Sequence, residues 1–200
     1  YFRSGYVTST ESLVNNWDGS DGLPLDPNDQ QDAREFLDVF INNVENAIDK
    51  SFIKSLFYGT VIDRIEGINE KINVDNIQEF TAFTLPIQGI YNYKVAFSKV
   101  QEPDYFTGNN QYYSEELKKK IDAKKYTSFG KLPQYFIIQL TRFNFDFETL
   151  KKMKVNSPFE FPVNLDLNDY TIIKNQETKY TLSGVIVHKG SIDFGHYISY

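Results

Sequence analysis

The two histidines of this sequence, His188 and His196, fall within one stretch of nine residues. Histidine is the side chain whose ordinary pKa lies near neutral pH, so it commonly serves as a general acid or base. The 200 residues contain no cysteine and no other residue that titrates near neutrality. Any proton-transfer chemistry of this chain therefore has to involve this stretch. A lone histidine in a strand is more often a packing residue, and that alternative remains open for both.

The surrounding segment, Tyr180 to Tyr200, has the pattern of two strands joined by a loop. Alternating and β-branched residues up to His188 predict the first strand, and the two glycines and the aspartate that follow predict the loop. A returning strand is predicted from Gly195 onward. Facing side chains on paired strands lie about 4.5–5.5 Å apart, so the hairpin could bring the two imidazoles together. Gly195 has no Cβ and would let another backbone approach the imidazole of His196 closely.

The composition predicts a folded protein with a large aromatic core. Hydrophobic residues make up 40% and aromatic residues 16% of the chain, with 17 Phe and 14 Tyr. The net charge of −6 argues against nucleic-acid binding. Without cysteine, a disulfide, a thiolate metal site and a cysteine nucleophile are excluded within these residues. No signal peptide or membrane-spanning apolar run is present. The chain begins with Tyr1 and ends inside a predicted strand, so we expect a fragment of a longer protein.

One long helix is predicted between Asp26 and Lys50. Asp26 is expected to cap it, Pro27 suits its first position, and Asp29 and Asp32 lie in or near its first turns, where the helix dipole favours acidic side chains. An apolar stripe is predicted to face the core: Ala33, Phe36, Leu37, Phe40, Val44, Ala47 and Ile48. The predicted polar side consists of Gln30, Arg34, Asp38, Glu45 and Asp49. A shorter run of apolar residues with helical spacing occurs earlier, at Leu13, Val14 and Trp17.

The remaining chain predicts mainly strands. Short strands are expected from Leu56 to Leu85, and another from Tyr93 to Phe97. The lysine-rich segment from Lys118 to Lys125 is interpreted as an exposed helix turn or loop. The apolar run from Tyr135 to Leu140 predicts a central strand. Alternation then continues through Phe143, Phe145 and Phe147, followed by a basic patch at Lys151, Lys152 and Lys154.

Four motifs, in this order and spacing, resemble the ubiquitin-specific proteases, which are papain-like cysteine deubiquitinases. The first is QQDAREFL, residues 30–37, on the predicted helix. The second is LFYG, residues 56–59, with FTLPI ending at Ile87. The third is LPQYFIIQLTRF, residues 132–143, followed by FEFPVNLDL, residues 159–167. The fourth is Y-x-L-x-x-V-x-x-H-x-G with G-H-Y, from Tyr180 to Tyr197.

The resemblance implies an α+β fold with the papain-like thumb, palm and fingers, truncated at both ends. All 200 residues would form part of one catalytic domain, with a helical thumb part over about residues 1–56 and β-rich fingers and palm over 57–200. It further implies hydrolysis of the isopeptide bond at the C-terminal glycine of ubiquitin. The expected partners are ubiquitin or ubiquitinated proteins, with no nucleic acid, membrane or cofactor, in the cytoplasm or nucleus.

The resemblance also assigns roles to individual residues. The His of G-H-Y is the general base that takes the proton of the nucleophilic thiol, and this role falls to His196. The Q-x-D of the helix holds the extended C-terminal tail of ubiquitin, which makes Gln30 and Asp32 expected tail contacts. A carboxylate there suits the arginines of that tail. Asp32 has an ordinary alternative as a first-turn acid. His188 and Tyr197 resemble residues that line the groove for the tail glycines, and packing roles stay open for both.

The chain departs from the family pattern in three respects. The cysteine box would lie before Tyr1, and the Asn or Asp that orients the histidine would lie after Tyr200, so the chain alone is expected to be inactive. Many members bind zinc through two C-x-x-C pairs, which align with Gly67 and Glu70 and with positions near Ser114 and Leu117. None of these can supply a thiolate, so no metal site and zinc-free fingers are expected.

Two other functions remain compatible with the sequence. The protein could be a non-catalytic ubiquitin-binding pseudo-enzyme whose complete form lacks the cysteine, or a β-rich interaction domain that uses its acidic surface. A serine hydrolase is disfavoured because no G-x-S-x-G elbow occurs.

Overall fold

The computed structural model describes residues 30–146, 150–192 and 194–200, together with residues 9, 11, 22 and 26. The predicted helical spacing at Leu13, Val14 and Trp17, the predicted helix positions Pro27 and Asp29, and the strand position Phe147 lie outside the described residues. No helix in the described part of the chain is long and apolar enough to cross a membrane.

The predicted long helix is α1, Ala33–Ala47, and it is shorter than expected at both ends. Its cap is Asp32, not Asp26, because the Asp32 carboxylate accepts hydrogen bonds from the backbone amides of Arg34 and Glu35. A second helix, α2, Lys50–Phe57, was not predicted. Asp49 caps α2 by accepting from the Ser51 amide at 2.8 Å. The prediction therefore placed the first cap six residues too early and missed the second helix, which includes Leu56 and Phe57 where a strand was expected to begin.

The third helix, α3, Tyr93–Gln101, corrects a predicted strand. Tyr, Val and Phe in this segment are β-favouring types, but the residues that pack in or against the core, Tyr93, Ala96, Phe97 and Val100, follow helical spacing. Asn92 starts the helix by accepting from the Val95 amide at 3.0 Å. Burial in the core and the Asn92 cap outweigh the β-strand propensity of these residues.

A four-stranded sheet extends from the core. Its strands are β1 (Gly59–Gly67), β2 (Asn73–Phe80), β4 (Asp104–Phe106) and β7 (Ala123–Phe129), in the order β2-β1-β7-β4. Beside it, β5 (Tyr112–Ser114) and β6 (Lys119–Ile121) form a hairpin. Lys118 lies in an exposed turn, as predicted, whereas the rest of the lysine-rich segment belongs mainly to β6 and β7, where the prediction expected a helix turn or loop. Ion pairs with neighbouring strands accommodate its charges, including Lys124 with Glu66 and Lys125 with Asp104.

Four two-stranded pairings complete the described strands. Two predicted strands are confirmed by β3 (Ala82–Leu85) and β8 (Ile137–Leu140), which pair in parallel. Among the described strands β8 pairs with β3 alone, so it is not the central strand that was expected. The strand β9 (Phe143–Asp146) pairs with β10 (Lys151–Lys154), and β11 (Asn164–Asp166) pairs with β12 (Lys179–Thr181). The last hairpin consists of β13 (Ile186–Gly190) and β14 (Gly195–Ser199). The strand expected up to His188 is therefore divided between β12 and β13, whereas the returning strand is confirmed.

Aromatic side chains dominate the core, as the composition predicted. The rings of Phe83 and Phe129 lie edge to face with centroids 4.7 Å apart, and Phe97 stacks on Phe83 at 6.1 Å. Leu85 and Leu167 are fully buried beside them. Because α3, β3 and β7 all contribute to this cluster, the core joins the four-stranded sheet to the parallel pair β3-β8.

Candidate functional site

The C-terminal hairpin places the two histidines on opposite faces. His188 pairs with Tyr197 and Lys189 pairs with His196 in the antiparallel register. Directly paired residues share a face, and successive residues alternate between faces. The rings of His188 and Tyr197 accordingly lie 4.9 Å apart. The expectation that the hairpin brings the two imidazoles together is therefore wrong, since the register pairs each with a different residue.

His196 is exposed, on the face of the hairpin away from His188. Its cross-strand neighbour is Lys189, which is exposed as well. An exposed imidazole on a strand next to a turn is accessible to a reacting group from outside the sheet. The position fits a general base that acts on a group supplied by another segment.

Gly195 makes a close approach possible, but for a different histidine than expected. A Cβ at this position would meet Nε2 and Cε1 of His188 and would lie 2.7 Å from the carbonyl oxygen of Lys189. The missing side chain therefore accommodates the imidazole of His188, where the sequence suggested space beside His196. The backbone amide of Gly195 also donates a 3.0 Å hydrogen bond to Oε1 of Gln30. Gln30 thereby links the hairpin to the chain just before α1.

Asp32 and Tyr197 meet at the N-terminus of α1. The carboxylate of Asp32 accepts from the Arg34 amide at 2.8 Å and from the Glu35 amide at 3.1 Å. Burial raises the pKa of the Tyr197 phenol, a hydrogen bond from the Ala33 amide opposes that rise, and the Asp32 carboxylate adds to it. The structure thus brings together four of the five predicted site residues: Gln30, Asp32, His188 and Tyr197. The fifth, His196, lies on the same hairpin but faces the other way.

The sequence interpretation missed two residues that position these groups. Arg34, assigned to the polar side of the helix, donates from Nη1 to the Ala82 carbonyl at 3.0 Å and fixes α1 against β3. Lys154, assigned only to a basic patch, places its Nζ 2.9 Å from Nδ1 of His188. Burial, followed by the positive charge of Lys154, lowers the pKa of His188, and Asp32 partly opposes this. The partners of Arg34 and Lys154 described here are distant in sequence, so the local sequence pattern gave no indication of these contacts.

The residues at the aligned metal positions make other interactions. Ser114 is buried, and its Oγ accepts from the Leu117 amide at 3.2 Å. The carboxylate of Glu70 lies 2.7 Å from Nζ of Lys119, and Gly67 approaches the backbone of Glu70 closely. Among the residues that the structure describes, no group of three or more His, Asp or Glu side chains could hold a metal ion. No cofactor or metal is assigned to this site.

Sequence comparison places the chain among the ubiquitin carboxyl-terminal hydrolases, whose family model matches residues 6–200. Ubiquitin carboxyl-terminal hydrolase 9Y of Mus musculus is 32% identical over 214 residues, covering 90% of this chain and 8% of the relative. Ubiquitin carboxyl-terminal hydrolase 34 of Homo sapiens is 29% identical over 202 residues, covering 90% of this chain and 6% of the relative. Ubiquitin carboxyl-terminal hydrolase 26 of Oryza sativa is 29% identical over 189 residues, covering 89% of this chain and 18% of the relative.

The fold is also similar to solved structures. A chain of the SAGA Ubp8/Sgf11/Sus1/Sgf73 DUB module bound to ubiquitin aldehyde superposes with a TM-score of 0.74 at 23% identity, covering 86% of this chain and 41% of that one. A chain of the same module bound to monoubiquitin superposes with a TM-score of 0.75 at 26% identity, covering 86% of this chain and 40% of that one. The chain spans a minor part of every relative named here. The chain belongs to the ubiquitin carboxyl-terminal hydrolase family, thiol-dependent ubiquitinyl hydrolases, and this confirms the resemblance to the ubiquitin-specific proteases carried by its four motifs.

Proposed function

We propose that the complete protein is a deubiquitinase that hydrolyses the isopeptide bond at the C-terminal glycine of ubiquitin. In this proposal residues 1–200 form part of a papain-like thumb, palm and fingers domain, with a helical thumb part over about 1–56 and the fingers and palm over 57–200. The observation that carries the proposal is the junction between Gln30 and Gly195, which joins the hairpin of His196 to the start of α1.

His196 is proposed as the general base. A neutral imidazole can take the proton of a thiol and later protonate the departing amine. Its exposed position on the outer face of β14 supports this role. The sequence has no cysteine, so the thiol must come from outside these 200 residues, and the chain alone is expected to be inactive.

Gln30, Asp32, His188 and Tyr197 are proposed to bind the extended ubiquitin tail. The Asp32 carboxylate is exposed and would attract the basic side chains of that tail through charge-assisted hydrogen bonds. The rings of His188 and Tyr197 lie near this carboxylate, with their centroids 4.9 Å apart. Ubiquitin as the partner is further supported by the two similar structures, which hold ubiquitin aldehyde and monoubiquitin.

A second candidate is a non-catalytic ubiquitin-binding pseudo-enzyme. The four residues proposed to bind the tail lie within the 200 residues whereas no cysteine does, so this part of the chain carries binding groups without a nucleophile. Both candidates predict ubiquitin binding, so only turnover distinguishes them.

The test compares the full-length protein with His196→Ala, using a ubiquitin C-terminal amide reporter for turnover and calorimetry for ubiquitin binding. The proposal expects His196→Ala to abolish turnover while binding stays largely unchanged, because the base is needed for chemistry and not for affinity. Ser199→Ala is the matched control, since Ser199 is exposed on the same strand but faces the other way. Binding without turnover in the wild-type protein would favour the pseudo-enzyme. Turnover by His196→Ala would remove His196 from the base role.

A further inference from the structure

Lys154 connects two separate pairs of strands through its ammonium group. It lies at the end of β10, which pairs with β9, yet its Nζ contacts three acceptors on the β13-β14 hairpin. Nζ lies 2.9 Å from Nδ1 of His188, 3.3 Å from the His188 carbonyl oxygen and 2.7 Å from the Gly190 carbonyl oxygen. A lysine ammonium has three N–H donors and no acceptor, so these contacts use its full donor capacity.

This geometry fixes the protonation state of His188. Because the ammonium can only donate, Nδ1 of His188 must accept, and an accepting ring nitrogen carries no proton. The imidazole is then neutral, with its single proton on Nε2. Nε2 belongs to the edge of the ring that lies over Gly195, where a Cβ would otherwise be. The Nε2 proton therefore lies on the edge of the ring that packs on Gly195.

Aromatic rings hold the imidazole in this orientation on two sides. Phe143 of β9 meets it nearly edge to face at 5.2 Å, and Tyr197 of β14 lies at 4.9 Å. The charged groups that act on it are Lys154 from β10 and Asp32 from the start of α1. Lys189 and His196 lie on the opposite face of the hairpin. A charge on the ring would thus be placed near both the ammonium and the carboxylate.

We propose that Lys154 is a positioning residue that keeps His188 neutral, so that the charge of the neighbouring Asp32 stays available for ligand binding. This rests on the proposed function for its substrate, an extended peptide with basic side chains and backbone carbonyl groups. A neutral His188 leaves the charge of Asp32 available to the basic side chains. A protonated His188 would instead offset the Asp32 charge and weaken binding.

The test uses the full-length protein with Lys154→Met, which removes the donors and the charge but keeps an unbranched side chain only one atom shorter. Without Lys154, the pKa of His188 should rise, because the positive charge that disfavours a second proton on the ring is removed. The KM of the ubiquitin reporter should then rise about fivefold on going from about pH 8 to about pH 6, roughly the effect of one charge next to an exposed carboxylate. The wild-type protein should show a smaller rise. Lys152→Met, an exposed lysine two residues earlier on β10, is the matched control, and Lys154→Arg should restore the wild-type profile.

A second readout does not depend on turnover. In ¹⁵N-histidine-labelled protein, with His188 assigned from a His188→Gln variant, the wild-type ring should show a proton on Nε2 and none on Nδ1. Loss of Lys154 should raise its titration midpoint, a change that a merely structural role would not produce. A wild-type ring protonated on Nδ1 overturns the inference even if Lys154→Met does not fold. If the reporter is not cleaved but the Nε2 tautomer is found, the proposed function fails while the positioning role stands.

Discussion

The backbone amide of Gly195 donates a hydrogen bond to the side-chain oxygen of Gln30 across 165 positions of sequence. Both partners are next to residues proposed to act on ubiquitin, since Gly195 precedes His196 and Gln30 lies two residues before Asp32. The bond therefore sets the distance between the candidate base and the candidate tail contact. Positioning of this kind contributes to rate because small displacements of a catalytic group are costly.

Gln30→Ala should lower the kcat/KM of the reporter about two- to tenfold, the range expected for one hydrogen bond worth roughly 0.5–1.5 kcal/mol. The Gly195 amide should also exchange faster with solvent, since it loses its acceptor. Gln31→Ala is the matched control, because Gln31 is the adjacent glutamine and is exposed. Equal effects of the two substitutions would show that the Gln30 bond does not position the hairpin.

Gly195→Ala should destabilise the protein by about 1–3 kcal/mol, the usual cost of inserting atoms into a packed site. The new methyl group would overlap the His188 ring and approach the Lys189 carbonyl oxygen to 2.7 Å, so the imidazole or the hairpin backbone must move. Gly184→Ala is the control, because a Cβ there would meet its nearest atom, the Tyr200 carbonyl oxygen, at 3.5 Å. Thermal melts of both variants check this. Similar melting temperatures would contradict the close packing at Gly195.

Asp32 has two separable roles, as a helix cap and as a charge. Asp32→Ala should cost about 1 kcal/mol of stability through loss of the cap. Asp32→Asn should keep the cap but weaken ubiquitin binding, and Asp32→Arg should weaken it more than tenfold, each tenfold being about 1.4 kcal/mol. Asp49→Ala provides the control, since Asp49 caps α2 in the same way. Calorimetry that finds unchanged affinity for Asp32→Arg would reject Asp32 as a tail contact.

Local sequence was sufficient to predict the elements whose signals are local. The returning strand at Gly195 and the strands at Ala82 and Ile137 combine alternation or apolar runs with turn residues on either side, and these were predicted correctly. The helix of Tyr93–Gln101 was not, because its β-favouring residues are held in a helix by burial against the aromatic core. The lysine-rich strands were missed since the acids that pair with Lys124 and Lys125 are distant in sequence.

The candidate site, too, could be predicted from the sequence only in part. The family motifs identified Gln30, Asp32, His188, Tyr197 and His196 as residues of interest, but the faces of the hairpin depend on register. Pairing of His188 with Tyr197 separates the two histidines, and a shift of one residue would have reversed that outcome. Lys154 and Arg34 act through partners at least 34 residues away. No pattern confined to one segment could have revealed them.

Tyr180 should make the stability of the fold sensitive to alkaline pH. Its hydroxyl donates to the Pro133 carbonyl at 2.6 Å, and burial raises its pKa to about 12, with the charge of Glu177 adding to the rise. The unfolded phenol loses its proton near its ordinary pKa of about 10, while the folded phenol keeps it. The contribution of Tyr180 to the free energy of unfolding is therefore complete below about pH 10 and is lost as the pH rises toward about 12.

Denaturant unfolding of Tyr180→Phe and of the wild-type protein at about pH 8 and about pH 11 measures this contribution. Tyr180→Phe should be less stable by about 0.5–1.5 kcal/mol at the lower pH, because the Pro133 carbonyl loses its donor. The difference should shrink at the higher pH. Tyr105→Phe, at an exposed position, should change neither value appreciably. A pH-independent difference between wild type and Tyr180→Phe would contradict a raised pKa.

The tip of the proposed fingers should be stable without metal. The aligned positions hold Gly67, Glu70, Ser114 and Leu117, which offer one carboxylate and no thiolate, and that carboxylate pairs with Lys119. A chelator such as EDTA should therefore leave the melting temperature and the reporter activity unchanged, and added Zn²⁺ should not raise either. Ser114→Ala should cost about 1–3 kcal/mol because it leaves the Leu117 amide without its buried acceptor. Glu70→Gln should cost less than about 1 kcal/mol, as expected for a partly exposed ion pair. A chelator-induced fall in melting temperature would show that a metal stabilises this region after all.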